Sequence, residues 1–502
     1  MAGWLTEAVA PEVPWAALAV ALPLAAALAA TLSARLAHAL VLPVGLAGLV
    51  LAAGAALQVA THGVIELHLG GWRPPLGIRL RLDGLARASL RAGALVPGAA
   101  LATARPAFAR GGTLGRDRRA WAFWPLAFCL LAATQAAFLG ADLFNLYVAL
   151  ELLTLAAVAL APREGTAEAL AAAMRYLLFA LLGSLAYLLG VALLYAAQGT
   201  LDLQALRGAG AGQPGAALAA TLMSVGLMAK AALFPLHGWL PAAHSSAPAP
   251  ASALLSALVV KVPFLILLRV WSEALAGLPS AAFAHVMGLV RVGAILAGPL
   301  LALRQHRLKL VIAYSTVAQL GYLLMAFPLA LAPGAGSWGA AAWNGVVFHA
   351  LAHALAKGAM FLAAGHMAQA LGHDRIDGMA GLGRVLPIAG FAFAIAAVSL
   401  MGLPPSGGFL AKYLLLTASL ASGQWWWAVS MLGGGLLAVA YLFRPLEALL
   451  VKGEPALQAT VPRGRQAIAL ALALASVALG LLSAQPFGLL QVGRPLLPGD
   501  GA

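Results

Sequence analysis

Five ionisable side chains, Glu151, Lys230, Lys261, Lys357 and Lys412, interrupt long runs of apolar residues. At about 2.5–3.5 kcal/mol for each charge at the centre of a membrane helix, the five would cost on the order of 15 kcal/mol if left unpaired in lipid. They must therefore face a bundle interior, water or one another. Nearly all of the 16 acidic residues fall in loops or at the ends of apolar runs. Glu151 is the exception, set in Asp142-Leu-Phe-Asn-Leu-Tyr-Val-Ala-Leu-Glu151-Leu-Leu-Thr-Leu. One reading makes Glu151 and Lys230 a static buried ion pair. A proton-handling role is favoured, because there are more such groups than packing needs.

A second constellation is His349-Ala-Leu-Ala-His353-Ala-Leu-Ala-Lys357. Spacing of four and four puts all three side chains on one helix face. A zincin needs Glu directly after the first His, and that position is Ala350, so the metal reading is weak. Core histidines satisfied by backbone or water are the plainer alternative. A line of His, His and Lys in an otherwise apolar helix fits a proton relay better. The densest segment runs from Lys230 through Pro235, His237, Trp239, Pro241, His244, Pro248 and Pro250 to Lys261. Pro235 predicts a helix break just after Lys230, freeing carbonyls that can bind water or a cation. His237 and His244 follow as candidates for a relay or for proton uptake. His237 can instead hydrogen-bond a loop, and Trp239 can serve as an interfacial anchor.

These residues need membrane helices to position them. The 502-residue chain is 63% hydrophobic and only 9% charged, with a mean hydropathy of +0.93. A soluble domain carries about 25% charged residues, so a soluble fold is excluded. Windows of about 20 apolar residues predict roughly fourteen spans: 13–32, 37–60, 84–104, 119–140, 141–161, 168–197, 215–240, 248–272, 279–303, 307–330, 339–371, 385–420, 424–451 and 465–484. The third is weakest, interrupted by Arg87, Arg91 and Pro97, and 61–83 is read as a connection. The twelfth contains Gly402-Leu-Pro-Pro-Ser-Gly-Gly408, which should break its helix.

The net charge of +14 belongs to loops and orientation rather than to nucleic acid. With the N-terminus outside, the cytoplasmic connections hold 17 basic residues, Arg110, Arg116, Arg118, Arg119 and Arg163 among them, and the outward connections and termini hold six. That bias predicts both termini on the outer, periplasmic side of a bacterial inner membrane. Of the basic residues 24 are Arg and only six are Lys, yet four of those Lys lie inside spans. Arg cannot release its proton in a protein, whereas a desolvated Lys titrates readily. Cys129 is the only cysteine, which excludes disulfides, iron–sulfur clusters and cysteine zinc sites. No cofactor, separate soluble domain or removable signal peptide is expected. Interrupted spans 7 and 12, each within its own block of five, point to an inverted repeat with sites near midplane.

The segments 142–152, 230–261, 308–322 (Leu-Lys-Leu-Val-Ile-Ala-Tyr-Ser-Thr-Val-Ala-Gln-Leu-Gly-Tyr), 349–365 and 402–412 resemble the antiporter-like membrane subunits. These are the D subunits of Mrp-type Na⁺/H⁺ antiporters and the proton-pumping membrane subunits of complex I and related hydrogenases. The motifs follow in family order across about residues 120–450. The resemblance implies an all-α polytopic fold of about fourteen helices with broken helices 7 and 12. Residues 1–118 would carry helices 1–3, 119–272 and 273–451 two inverted five-helix repeats, and 452–502 helix 14 and a tail. It also implies a Glu–Lys pair on spans 5 and 7, a Lys on span 8, His/Lys groups on span 11 and a terminal Lys or Glu on span 12. Glu151, Lys230, Lys261, His353 with Lys357, and Lys412 match those positions. Arg87 and Arg91 depart from a usually apolar helix 3, and the His237-Gly-Trp-Leu-Pro and His244-Ser-Ser-Ala-Pro details are closer to complex I and hydrogenase subunits.

The expectation is thus a proton-translocating member of a multi-subunit membrane complex, the Mrp-type D subunit first and a complex I or hydrogenase pump subunit second. Its relay would comprise Glu151, Lys230, Lys261, His349, His353, Lys357 and Lys412, with Asp142, His237 and His244 as further relay or uptake groups. Partners would be other membrane subunits, protons with or without Na⁺, and lipid, with no nucleic acid. A non-transporting scaffold is the reading from a different class.

Overall fold

The computed structural model describes residues 13–109, 118–161, 166–207, 215–276, 278, 281–332 and 336–495. The loop arginines Arg110, Arg116 and Arg163, the side chains of Arg118 and Arg119, and both chain ends lie outside the described residues.

Helices α1 (Trp15–Ala30) and α2 (Ala34–His62) lead into an antiparallel hairpin of β1 (Ile65–His68) and β2 (Arg79–Leu82), with Glu66 opposite Arg81. Then come α3 (Gly84–Ala109), α4 (Arg118–Leu139), α5 (Leu143–Leu160), α6 (Ala167–Gln198), α7 (Ala216–Lys230) and the short α8 (Leu240–Ser246). They are followed by α9 (Ala249–Ala274), α10 (Ala281–Leu303), α11 (Leu308–Ala330), α12 (Gly336–Leu371), α13 (Pro387–Met401), α14 (Gly407–Ala421), α15 (Trp425–Leu450), α16 (Arg463–Leu481) and α17 (Ala484–Leu490). Among the described residues ten helices are long and apolar enough to cross a membrane, and four shorter apolar helices accompany them. This is a polytopic helical membrane protein.

Local chemistry sets the boundaries. Ser33, Asp142, Thr166 and Ser406 accept hydrogen bonds from first-turn N–H groups of α2, α5, α6 and α14, satisfying donors that have no helical partner. Gly402, at φ +82°, closes α13 in the left-handed conformation that favours glycine. α9 and α11 each contain a five-residue π-helical turn, Leu255–Val259 and Ala326–Ala330, and α9 ends in another, Val270–Ala274. α9, α11 and α12 are almost wholly buried at the centre of the bundle. α6, α10 and α15 turn apolar faces outward, with Leu182, Leu289 and Leu436 more than half exposed, as helices against lipid should. Small residues bring α6 and α7 together: a Cβ at Gly226 would stand 2.3 Å from the Gly183 carbonyl oxygen.

The segment read as a connection at 61–83 contains the hairpin. Its second strand alternates Arg79 and Arg81 with buried Leu80 and Leu82, a period of two that a search for 20-residue apolar windows passes over. The hairpin anchors an ionic cluster at one end of the bundle. Arg79 pairs with Glu66 (2.9 Å) and Asp202 (2.8 Å), and Arg81 with Glu273 (2.8 Å). Arg269 holds Asp83 through two hydrogen bonds of 2.8 and 2.9 Å and Glu273 at 3.0 Å. Asp83 also accepts from the Ala86 N–H at 2.8 Å in the first turn of α3.

Candidate functional site

Glu151 lies on α5 and Lys230 is the last residue of α7, where the helix gives way to turns before α8. The Lys230 ammonium donates to Glu151 Oε1 at 2.9 Å and to Thr154 Oγ1 at 2.8 Å, and the Ser184 hydroxyl of α6 donates to the same carboxylate oxygen. The lysine side chain is 2% exposed and the glutamate 21%. The pair is thus dry on the Lys230 side and open on the Glu151 side.

The other three membrane lysines are solvated differently. Among the described residues no carboxylate lies within salt-bridge distance of Lys261, Lys357 or Lys412. Backbone carbonyls receive them instead. Lys261 Nζ donates to the Ser256 carbonyl at 2.6 Å, inside the π turn of α9. There the chain departs from i→i−4 bonding, and such turns recur at functional sites. Lys357 Nζ donates to the Ile312 carbonyl at 2.7 Å and to the Ser315 hydroxyl, both on α11. Lys412 Nζ donates to the carbonyls of Leu400 at 2.7 Å and Met401 at 3.2 Å. Those are the last residues of α13, whose terminal carbonyls lack helical donors and carry partial negative charge.

His349 and His353 lie between Lys357 and Lys412. Their rings are parallel within 7° at 5.9 Å. His349 Nε2 is 3.0 Å from the Gln319 carbonyl, while both His353 ring nitrogens are buried without a protein partner among the described residues. Tyr322 of α11 closes the file, its ring 5.3 Å from His349 and 4.7 Å from Lys412 Nζ. His244, fully buried, stacks on Phe361 of α12 at 4.6 Å, and both of its ring nitrogens also lack protein partners among the described residues. The 349–357 face is therefore one wall of a buried file on α12, with α11 and α14 supplying the other.

Two of the candidates stand apart. Asp142 caps α5, accepting from the Phe144 and Asn145 N–H groups at 2.9 and 2.8 Å. It is nine residues from Glu151, about 13 Å along the helix. His237 lies in the turns after Lys230, stacked on Phe234 at 5.5 Å.

Sequence reasoning misses Arg291. It is fully buried on α10, donates to Ser430 Oγ at 2.8 Å and lies 5.6 Å from the Tyr322 ring centroid, so that Tyr322 contacts two cations, Arg291 and Lys412. Its one sequence signal is a lone Arg inside an otherwise apolar span. Among the described residues no group of His, Cys, Asp and Glu is arranged to hold a metal ion.

Fold and site together define a class: a polytopic helical membrane protein with a buried file of titratable groups at its centre. Residues 140–438, a stretch that contains every candidate above, match the NADH:quinone oxidoreductase/Mrp antiporter transmembrane family, and the chain belongs to that family. It is 37% identical over 424 residues to the NADH-quinone oxidoreductase N subunit of Desulforudis audaxviator, covering 81% of this chain and 82% of that protein. It is 30% identical over 388 residues to the Na⁺/H⁺ antiporter D subunit of Alkalihalophilus pseudofirmus, covering 76% of each. Its fold matches a chain of the Mrp complex from Dietzia sp. with a TM-score of 0.85 and 26% identity, over 96% of this chain and 97% of that one.

Proposed function

We propose that the chain is a proton-translocating, antiporter-like subunit of a multi-subunit membrane complex. The observation that carries this is a division among the buried lysines: Lys230 has a carboxylate, whereas Lys261, Lys357 and Lys412 rest on neutral carbonyls and hydroxyls. An ammonium held by neutral dipoles alone can give its proton up without leaving a carboxylate charge unmatched nearby. Loosening the Glu151–Lys230 pair frees Lys230 to pass its proton towards Lys261. Lys357, His353 and His349 then carry it to Lys412, with water completing the path at the buried ring nitrogens. His244 is assigned to the bridge between Lys261 and Lys357. Asp142 and His237 are assigned to proton uptake at either side of the Glu151–Lys230 pair.

The ten long helices with α1, α3, the α7–α8 segment and the α13–α14 segment make up fourteen spans. Residues 119–272 and 273–451 form the two inverted repeats, with 1–118 and 452–502 flanking them. The breaks after Lys230 and after Met401 interrupt helices 7 and 12, and both termini face the periplasm. Partner membrane subunits complete the assembly. The Mrp-type reading, with this chain as the D subunit, is supported by the fold match to the Mrp complex. A complex I-type reading is supported by the higher identity to an N subunit.

Two measurements on vesicles holding the intact complex test the proposal. Lys230→Ala should abolish proton flux while the complex still assembles; near-normal flux would sink the scheme. Dependence of that flux on Na⁺ supports the Mrp-type reading, and quinone-linked flux indifferent to Na⁺ supports the other.

A further inference from the structure

Arg87 and Arg91 sit one turn apart on α3, and the proton path uses neither. Arg87 is 7% exposed, and among the described residues its Nε has no protein partner and no carboxylate pairs with either guanidinium. Like charges at this spacing repel, and neither group can shed its proton. Helical side chains lean towards the N-terminus, here the end of the bundle that carries the hairpin. Arg91 is seven residues into α3, about 10 Å, so both guanidiniums can snorkel to headgroup depth at that end.

An apolar cleft opens on each side of them. One, of about 270 Å³, lies between α3, α12 and α16 and is lined by Phe348, Leu351, Leu355 and Leu479. The other, of about 340 Å³, lies between α3 and α2 and is lined by Leu49, Ala53 and Leu57. Arg87, Arg91 and Leu95 border both. From Gly84 to Leu95 the helix rises about 16 Å, close to one leaflet of a hydrocarbon core about 30 Å thick.

We propose that this is a binding site for an anionic phospholipid of the leaflet at the hairpin end, with its phosphate between Arg87 and Arg91 and one acyl chain in each cleft. The phosphate removes the repulsion and supplies the acceptor geometry that guanidinium groups match best. A helix from a neighbouring protein of the complex, about 10–12 Å across, is a poorer fit to two clefts separated by the arginines themselves.

The test is native mass spectrometry of the full chain in detergent, offered phosphatidylglycerol or phosphatidylcholine with the same acyl chains. Wild type should retain phosphatidylglycerol about tenfold better or more: both lipids offer the phosphate, but the choline cation of phosphatidylcholine restores the repulsion at the two arginines that a net anion relieves. Arg87→Gln/Arg91→Gln should erase that preference, and Arg87→Lys/Arg91→Lys should keep most of it. Leu95→Trp, which fills both clefts and leaves the charges, should also weaken retention, so the proposal stays testable if the glutamine variant misfolds. Equal retention of the two lipids by wild type, an unchanged preference in a folded glutamine variant, or undiminished phosphatidylglycerol retention in the tryptophan variant overturns it. So does a photocrosslinker at position 92, in the first cleft, that captures a partner polypeptide rather than lipid in the intact complex.

Discussion

Lysine and arginine sit in different surroundings in this chain. The buried arginines Arg79 and Arg269 hold carboxylates in fixed ionic contacts, and Arg291 sits beneath Tyr322. The lysines at 261, 357 and 412 rest on neutral oxygens. Lys412→Arg keeps a charge beside Leu400, Met401 and Tyr322 but cannot release a proton. We expect proton flux in that variant to fall to background in vesicles, with the complex still assembled; unimpaired flux would remove Lys412 from the path. The sequence made the lysines legible because charge is rare and costly inside apolar runs. It did not make their partners legible. Thr154, Ser184, Ser256, Ser315 and Tyr322 are ordinary residues at unremarkable spacings, brought to the lysines only by tertiary packing.

At the scale of elements, interruptions matter more than regular helix. The ends of the long apolar helices were legible to within a few residues, because hydrophobic length is a local property. The π turn at Leu255–Val259 was not, since no local residue choice demands it. The hairpin was hidden by a period of two in a chain searched for long apolar windows. Gly402 offers an element-level test. It has φ +82°, and a Cβ there would lie 2.6 Å from Lys412 Cδ. Gly402→Ala should cost about 1–2 kcal/mol from the left-handed backbone and displace the Lys412 side chain. Thermal stability in detergent and proton flux should therefore fall together. A variant with wild-type stability and flux would show that neither the turn nor the Lys412 position depends on that glycine.

Across the whole molecule, charge is sorted by place. At the hairpin end, Arg79, Arg81, Asp83, Asp202, Arg269 and Glu273 tie the hairpin to α3, α9 and the connection after α6. Arg269 lies near the end of the 248–272 span, and the sequence could not show that Asp83, 186 residues away, meets it. Burial on its own would raise the Asp83 carboxyl, but the Arg269 charge and hydrogen bond, with Arg81, outweigh it and hold it below the usual carboxylate range. A depressed carboxyl contributes stability that is fully present above its unfolded value, about pH 3.9, and is lost as pH falls through the lower folded value. Asp83→Asn should remove about 3–5 kcal/mol, the usual cost of breaking a buried pair from one side. It should also flatten the acid limb of a thermal-stability profile. A variant as stable as wild type at neutral pH would show that the cluster does not hold that end together.

Moving protons rather than filling space is the role proposed for the buried pair. Removing one partner alone leaves the other charge uncompensated, so a functional loss can be a folding defect. Replacing both at once avoids this, because an apolar pair of similar volume is often as stable as the buried ion pair it replaces. The direct measurement is proton flux through vesicles holding the intact complex with Glu151→Leu and Lys230→Met combined. The complex should assemble normally and flux should be lost. Flux at the wild-type rate would mean that the pair is structural only.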